Sequence, residues 1–215
     1  MNRFFYFLLF NLANAFDICV VGASSGLGRE LIYQSLNNNK KVLGLTNNPQ
    51  NVCIPYRGRG LTELNFNKKR ILNNDLTLDK YENSKKYLFD NIIFTTNGQP
   101  FSKDYSLNIT KSIMENTKLF HNKALLNLEK IVLISAYGVG DSLENSNFGI
   151  KVMNNWYLKD VYNNKNQQES YLNKFIEDSN IHLEILRPKV LSYGENLINA
   201  KSRQELASEI INLVF

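Results

Sequence analysis

A glycine-rich turn containing two adjacent serines has the residue types and spacing best suited to specific chemistry. Residues 22–28 read GASSGLG and directly follow the apolar residues 18–21. From Leu27 onward the apolar residues have the spacing of one helix face. A strand, a tight turn and a helix start in this order present free backbone N–H groups and a positive dipole end to a bound phosphate. The pattern therefore predicts a phosphate-binding corner.

Alternating strands and helices are predicted on either side of this corner. Further strand-like runs occupy 41–45, 69–72 (weakly), 91–96, 130–135 and 181–186, while 50–68 reads as a loop. Helical patterns cover 79–89, the segment between the strands at 91–96 and 130–135, and 155–178. A last helix follows the capping box of Ser202 and Glu205. This alternation favours one doubly wound α/β domain, with a parallel sheet of about six strands and helices on both faces.

Composition narrows the function further. The 215 residues carry a net charge of +5 without a basic stripe, which argues against nucleic-acid binding. Cys19 and Cys53 are expected to be free thiols, Cys19 within the first strand. His121 and His182 have no Cys or His at ligand spacing, so no metal site is predicted.

The first fifteen residues have the layout of a secretory signal peptide. Arg3 precedes the apolar run 4–10, and Ala13-Asn14-Ala15 gives a small-residue cleavage pattern. The run is too short to span a bilayer. We predict a cleaved leader 1–15 and a domain 16–215, in the secretory pathway or an organelle reached through it. The alternative is an uncleaved apolar extension on a cytoplasmic protein.

Several motifs together resemble the short-chain dehydrogenase/reductase superfamily. The glycine turn has the spacing of the main branch of that superfamily. Four later stretches resemble the atypical branch, which includes NmrA-like proteins and the biliverdin-reductase-B/flavin-reductase group: residues 130–142, Lys165 with Glu169, residues 181–188 ending in Arg-Pro, and residues 202–210. The resemblance covers nearly all of residues 16–215 and implies an NAD(P)-binding Rossmann fold.

The resemblance also implies where a dinucleotide would bind. The pyrophosphate would be surrounded by Gly22, Ser24, Ser25, Gly26, Leu27 and Gly28. Asp75 and Leu76 would hold the adenine, although Asp75 could instead be a turn or cap residue. The ribose would be lined by Thr95, Thr96 and Asn97. Lys165 would bind the nicotinamide ribose. The segment 187–190, which begins with Arg187, would run beside the nicotinamide carboxamide. Ser135 would lie beside the nicotinamide, either as a substrate contact or as a purely structural hydroxyl.

The end of the second strand bears on the choice between NAD and NADP. NAD enzymes place Asp or Glu about twenty residues after the glycines, on the ribose 2′-OH. Residues 46–48 read Thr-Asn-Asn, so no carboxylate would repel a 2′-phosphate. Asn47 stands where the atypical branch often has Arg, and Arg29, Arg57 or Arg59 could supply the charge. These features favour NADP, with NAD as the alternative.

The chain departs from the superfamily at the catalytic dyad. The main branch uses Tyr-x-x-x-Lys, but here Val161 stands four residues before Lys165 and Tyr162 stands three before it. Tyr162 still shares a helix face with Lys165, and Tyr137 is a second candidate proton donor. Without the dyad, a substrate could take its proton from water. The first hypothesis is an NADP-dependent oxidoreductase acting on a small flavin, quinone, tetrapyrrole or carbonyl compound. The second is a non-catalytic NmrA-like redox sensor or assembly factor.

Overall fold

The computed structural model describes residues 15–52, 54–55, 61–62, 75–96, 104–121, 128–144, 158–189, 191–192 and 201–215. The predictions about leader residues 1–14, the strand at 69–72, Cys53, Arg57, Arg59 and Asn97 lie outside these residues.

Ten strands and four α-helices make up the described part of the chain. The strands are β1 Ala15–Val21, β2 Val42–Leu45, β3 Ile54–Pro55, β4 Leu61–Thr62, β5 Leu76–Asp79, β6 Leu88–Phe94, β7 Lys130–Ile134, β8 His182–Leu186, β9 Leu191–Ser192 and β10 Lys201–Ser202. The helices are α1 Gly26–Asn37, α2 Tyr105–His121, α3 Lys159–Ile176 and α4 Arg203–Val214.

Six of these strands form one parallel sheet in the order β5-β2-β1-β6-β7-β8. The chain moves outward from β1 in one direction through β2 and β5, then returns to place β6 on the other side of β1. The strand order therefore reverses between β1 and β6. Ligands of such sheets bind in the crevice at this switch point, outside the carboxyl ends of the strands. The predicted doubly wound α/β fold is confirmed.

The sheet separates two apolar cores, because successive side chains of a strand point to opposite faces. Ile18 and Val20 of β1 pack in the core that contains α1 and α4. Cys19 and Val21 point the other way, into the core that contains α2 and α3. Cys19 is fully buried as a free thiol, as predicted, and burial raises its pKa.

The strand beside β2 at the edge of the sheet is β5, Leu76–Asp79, and the strand predicted at 69–72 lies outside the described residues. Two local predictions were wrong. The helix predicted over 79–89 is a 3-10 helix, Tyr81–Lys86, followed at once by β6. The segment predicted as a loop contains the 3-10 helix Pro49–Asn51 and the antiparallel ribbon of β3 and β4.

The Asp79 carboxylate explains the short 3-10 helix. It accepts hydrogen bonds from Lys80 N (2.7 Å), Asn83 Nδ2 (2.6 Å) and the Tyr87 hydroxyl (2.6 Å). These bonds attach the residues on either side of the 3-10 helix, Lys80 and Tyr87, to one carboxylate and so limit the helix to Tyr81–Lys86. Sequence periodicity does not contain this information.

The last helix is confirmed in detail. Ser202 Oγ accepts from Glu205 N (3.1 Å), and Glu205 Oε2 accepts from Ser202 N (3.0 Å), which completes the capping box. Gln34 Nε2 of α1 donates to Gln204 O (3.0 Å) and fastens α4 against α1. Within the described ranges, no helix is long and apolar enough to cross a membrane.

Candidate functional site

The glycine turn adopts a conformation that needs glycine at two positions. Gly22 has φ +90°, a region that L-residues rarely adopt. A Cβ added to Gly28 would lie 2.3 Å from Gly22 O, so α1 could not pack this closely on the turn with any larger residue. Ser25 caps α1 by accepting from Gly28 N (2.8 Å). Among the described residues the amides of Gly26 and Leu27, in the first turn of α1, have no backbone acceptor, and a helix N-terminus offers such groups to a bound anion.

Thr95, at the carboxyl end of β6, fixes this turn in place. Thr95 Oγ1 donates to Val21 O (2.9 Å) and lies 3.1 Å from Gly22 O. The Ser25 hydroxyl lies 2.9 Å from Thr95 Oγ1. Because each hydroxyl has a single proton, the bonds run in one direction, from Gly28 N through Ser25 and Thr95 to the β1 carbonyls. Thr95 is thus a structural clamp on the phosphate-binding corner as well as a wall of the adjoining cavity.

Thr95→Val is expected to lower the free energy of unfolding by about 1–3 kcal/mol, because it removes the central hydroxyl of this chain of bonds. The neighbouring Thr96→Val is a matched control. Thr96 is also buried, but its hydroxyl has no hydrogen-bond partner among the described residues, so this change should be neutral within about 0.5 kcal/mol or stabilising. Urea denaturation of both variants tests the prediction, and equal losses would contradict the clamp.

A cavity of about 300 Å³ lies against the helix end of this turn. Its lining residues come from the turn, the ends of β6, β7 and β8, and the start of α4: Ser25, Gly26, Leu27, Thr95, Ile134, Ser135, Pro188, Lys189, Leu191 and Arg203. Ser135 is 4% exposed, and its hydroxyl has no hydrogen-bond partner among the described residues. A buried hydroxyl without a partner is costly unless a ligand or water satisfies it. The cavity is therefore a candidate ligand site beside the phosphate-binding corner.

The end of β2 is closed by tyrosines that the sequence analysis did not identify. Asn47 Nδ2 donates to the Tyr105 hydroxyl (2.5 Å), and Ser24 Oγ lies 2.9 Å from Thr46 Oγ1. The Tyr81 hydroxyl bonds Tyr105 and Thr46, and burial raises its pKa. These interactions place Ser24 and Asn47 in a cluster of hydroxyl and amide groups. Asp79 borders this cluster through its backbone carbonyl, which accepts from Thr46 N (2.9 Å). Sequence reasoning missed this cluster because it depends on a contact in the folded chain, between Asn47 and Tyr105, which are 58 residues apart.

The position predicted for Asp75 and Leu76 was wrong. Leu76 opens β5 and pairs with Val42 at the amino end of β2, where Asp75 O accepts from Val42 N (2.6 Å). Both residues therefore lie at the amino ends of the strands, whereas the glycine turn lies at their carboxyl ends. Asp79, paired with Leu45, is the residue of β5 that lies at the carboxyl end. The physical reason is that β5 begins at Leu76, directly after Asp75, and carries the chain from there toward the glycine turn.

Lys165 is enclosed by acceptors from its own chain. Its Nζ donates to Thr96 O (2.6 Å), Ile134 O (2.8 Å) and Gln168 Oε1 (3.2 Å), and the residue is 2% exposed. Burial lowers its pKa to about 7, against the opposing charge of Glu169. An ammonium has three N–H donors, so all of them are used. The expected contact with a nicotinamide ribose would require one of these bonds to be exchanged.

Glu169 and Arg187, which belong to two of the atypical-branch motifs, form an ion pair. Arg187 donates to Glu169 through Nε (3.1 Å) and Nη2 (2.6 Å). Hydrogen bonding to Glu169 raises the pKa of Arg187. Gly140, with φ +55°, packs so closely that an added Cβ would lie 2.8 Å from Glu169 Oε2. The pair thus joins α3 to the end of β8 and packs against the turn after β7. The Arg187 guanidinium binds Glu169, whereas the resemblance implied a place beside the carboxamide.

Tyr162 is buried on α3 and its hydroxyl donates to Tyr137 O (3.2 Å). Burial raises its pKa. A tyrosine that transfers a proton near neutral pH needs the opposite shift, normally from a neighbouring cation. Among the described residues the Tyr162 hydroxyl and the Lys165 ammonium donate to different acceptors, so the hydrogen bonds described here do not join them as a dyad.

Comparisons with known proteins give matches among solved structures. No protein-family profile matches the chain, and no curated protein sequence is similar to it. The oxidoreductase ylbE from Lactococcus lactis is similar with a TM-score of 0.62 and 16% identity over 92% of this chain and 84% of that one. The anaerobilin reductase ChuY from Escherichia coli has a TM-score of 0.58 and 15% identity over 91% and 89%.

A third match is a cofactor complex. Yeast methylglyoxal/isovaleraldehyde reductase Gre2, complexed with NADPH, has a TM-score of 0.54 and 15% identity over 81% of this chain and 58% of that longer one. At these identities the similarity is one of fold. The Rossmann-type α/β fold that the resemblance implied is thereby confirmed.

Proposed function

We propose that the protein is an NADP-dependent oxidoreductase of the atypical short-chain type, acting on a small organic substrate. The observation that carries the proposal is the cavity at the switch point, which Gly26 and Leu27 of the α1 N-terminus line together with Ser135. Among the described residues the Ser135 hydroxyl has no hydrogen-bond partner. A bound nicotinamide cofactor would supply the hydride. The three reductase or oxidoreductase structures described above support a redox reaction.

The proposed roles follow from the contacts of each residue. The amides of Gly26 and Leu27 bind the pyrophosphate, with the turn held by Thr95. Ser135 donates a hydrogen bond to the substrate or to the carboxamide. Lys165 keeps the ends of β6 and β7 in register through Thr96 O and Ile134 O. Since Tyr162 is bound to a backbone carbonyl and has a raised pKa, we assign the proton to water.

The preference for NADP rests on the cluster at the end of β2, where Asn47 bonds Tyr105 and the neighbouring Asp79 carboxylate already accepts from Lys80 N, Asn83 and Tyr87. Arg29 is the candidate for the 2′-phosphate, because its Nε is buried without a partner in the described structure. Arg29→Met should weaken NADPH binding by about tenfold and leave NADH binding unchanged. Calorimetry with both cofactors tests this, and equal effects would contradict it.

The reaction is tested by following NADPH absorbance with a panel of a quinone, a flavin, biliverdin and an aldehyde. We expect oxidation with at least one acceptor. Ser135→Ala should lower kcat/KM by at least roughly tenfold, whereas Tyr162→Phe should have little effect. Binding of NADPH without turnover of any acceptor would favour the non-catalytic sensor, for which the enclosed Lys165 is the supporting observation.

A secretory route is a separate proposal that rests on residues 1–15. Cleavage after Ala15 would remove only one residue of β1, and Phe16 would still pair with Phe89. Expression in a secreting eukaryotic cell followed by N-terminal sequencing tests this route. A mature chain beginning at Phe16 is expected, and an intact Met1 would contradict it.

A further inference from the structure

The cavity wall that faces the glycine turn carries two cations. Lys189 follows β8 and Arg203 is the first residue of α4, and both line the cavity together with Ser135. None of the ten lining residues is acidic. Ile134, Pro188 and Leu191 add apolar side chains to the cavity lining. This wall therefore combines positive charge, an apolar surface and one buried hydroxyl.

Arg203 is fixed in this wall by the start of α4. The capping box of Ser202 and Glu205 sets the first turn of the helix. The short strand β10 pairs with β9, so that Lys201 lies opposite Leu191 and Ser202 opposite Ser192. Because Leu191 also lines the cavity, this pairing holds Arg203 beside it. The bond from Gln34 to Gln204 O ties the same turn to α1, which carries the glycine turn.

Lys189 is held at the same wall by the turn after β7. Tyr137 N donates to Pro188 O (3.3 Å), which brings the two loops together. The Lys189 ammonium lies 5.2 Å from the centre of the Tyr137 ring, within the range of a cation–π contact. The Tyr137 ring thereby favours one position of the long, exposed Lys189 side chain, and it does not neutralise the ammonium charge.

The pyrophosphate of a dinucleotide already has partners in the glycine turn. The α1 N-terminus supplies the amides of Gly26 and Leu27 and a positive dipole end, which suit a phosphate without any side-chain cation. Lys189 and Arg203 come from other elements and share their wall with apolar residues and with the Ser135 hydroxyl, which the described part of the chain leaves without a hydrogen-bond partner. A group that contacts all of these would be an apolar body bearing an acid.

We propose that Lys189 and Arg203 form a carboxylate subsite, and that the substrate of this oxidoreductase is therefore an organic acid. The inference rests on the proposed function and specifies its substrate class. The carboxylate is bound by the two cations, the carbon skeleton packs on Ile134 and Leu191, and Ser135 donates to a polar atom near the reacting carbon. The competing source of negative charge is the pyrophosphate itself.

Benzoate serves as the probe, with benzyl alcohol as its neutral counterpart, in calorimetry on the protein saturated with NADPH. The variants are Arg203→Met and Lys189→Met. The matched control is Lys201→Met, an exposed lysine two residues before Arg203 that pairs with Glu209 and does not line the cavity. NADPH affinity is measured first for every protein, so that failure of the proposed function is seen separately from failure of the subsite.

We expect benzoate to bind more tightly than benzyl alcohol. Arg203→Met should weaken benzoate binding by at least roughly tenfold, with NADPH affinity within about threefold of the unmodified protein, as expected for loss of one charged hydrogen-bond donor. Lys201→Met should change neither. A loss of NADPH affinity with benzoate unaffected would assign the cations to the pyrophosphate and overturn the proposal. Equal binding of benzoate and benzyl alcohol would also overturn it.

Discussion

Gly28→Ala should weaken NADPH binding by at least about a hundredfold, comparable to the loss of several hydrogen bonds to a charged ligand. The added Cβ would lie 2.3 Å from Gly22 O and 2.9 Å from Ser25 Oγ. The first contact is with backbone, so the turn or the helix must move. Either movement displaces the Gly26 and Leu27 amides from the pyrophosphate. Calorimetric titration with NADPH measures the effect.

Gly44→Ala is the matched control for this variant. Gly44 lies buried in β2, and its added Cβ would approach Leu78 Cδ2 at 2.6 Å, the end of a flexible side chain. Its Cβ would approach Ala23 at 3.1 Å, a milder contact. This change should cost stability while keeping NADPH affinity within about threefold. If both variants bound NADPH equally well, the assigned role of the glycine turn would be contradicted.

Lys165 should give the protein a stability that rises with pH above neutrality. Its folded pKa is lowered to about 7 by burial, whereas the unfolded value is about 10.4. The unfolded state therefore binds more protons between these values, and the cost of burying the charge is fully present below pH 7. Relative to Lys165→Met, the free energy of unfolding should rise by up to about 1.4 kcal/mol per pH unit.

The comparison with Lys165→Met isolates this lysine from groups that act in the opposite direction. Burial raises the pKa values of Cys19 and Tyr162, so these groups reduce stability as the pH becomes alkaline. Both proteins contain them, and their effect cancels in the difference. Urea denaturation between about pH 7 and pH 9.5 measures the difference, with the exposed Lys174→Met as control. Parallel pH curves for the unmodified protein and Lys165→Met would show that the ammonium keeps its ordinary pKa.

Local patterns predicted much of the fold. The glycine turn, the capping box at Ser202 and the apolar strands are all encoded within a few neighbouring residues, and the structure has each of them. The parallel, doubly wound sheet followed from the alternation of strands and helices. The position of β5 at Leu76–Asp79 did not follow, because it is fixed by pairing with β2 rather than by its own periodicity.

The chemistry of the site was less accessible to sequence because it depends on contacts between distant residues. Thr95 holds a turn more than 70 residues before it. Lys165 stands at its expected position on α3, yet its donors are taken by backbone carbonyls of two other elements. Arg203 was identified only as part of a helix cap, and its place in the cavity wall depends on the packing of α4 against α1.

The central claim is that this chain binds a phosphorylated dinucleotide at the glycine turn, and calorimetric titration with NADPH and with NADH tests it most directly. We expect binding of one NADPH per chain with a dissociation constant in the micromolar range or below, tighter than for NADH, and weakened at least about a hundredfold by Gly28→Ala. Absence of binding by either cofactor to the folded protein would contradict the claim.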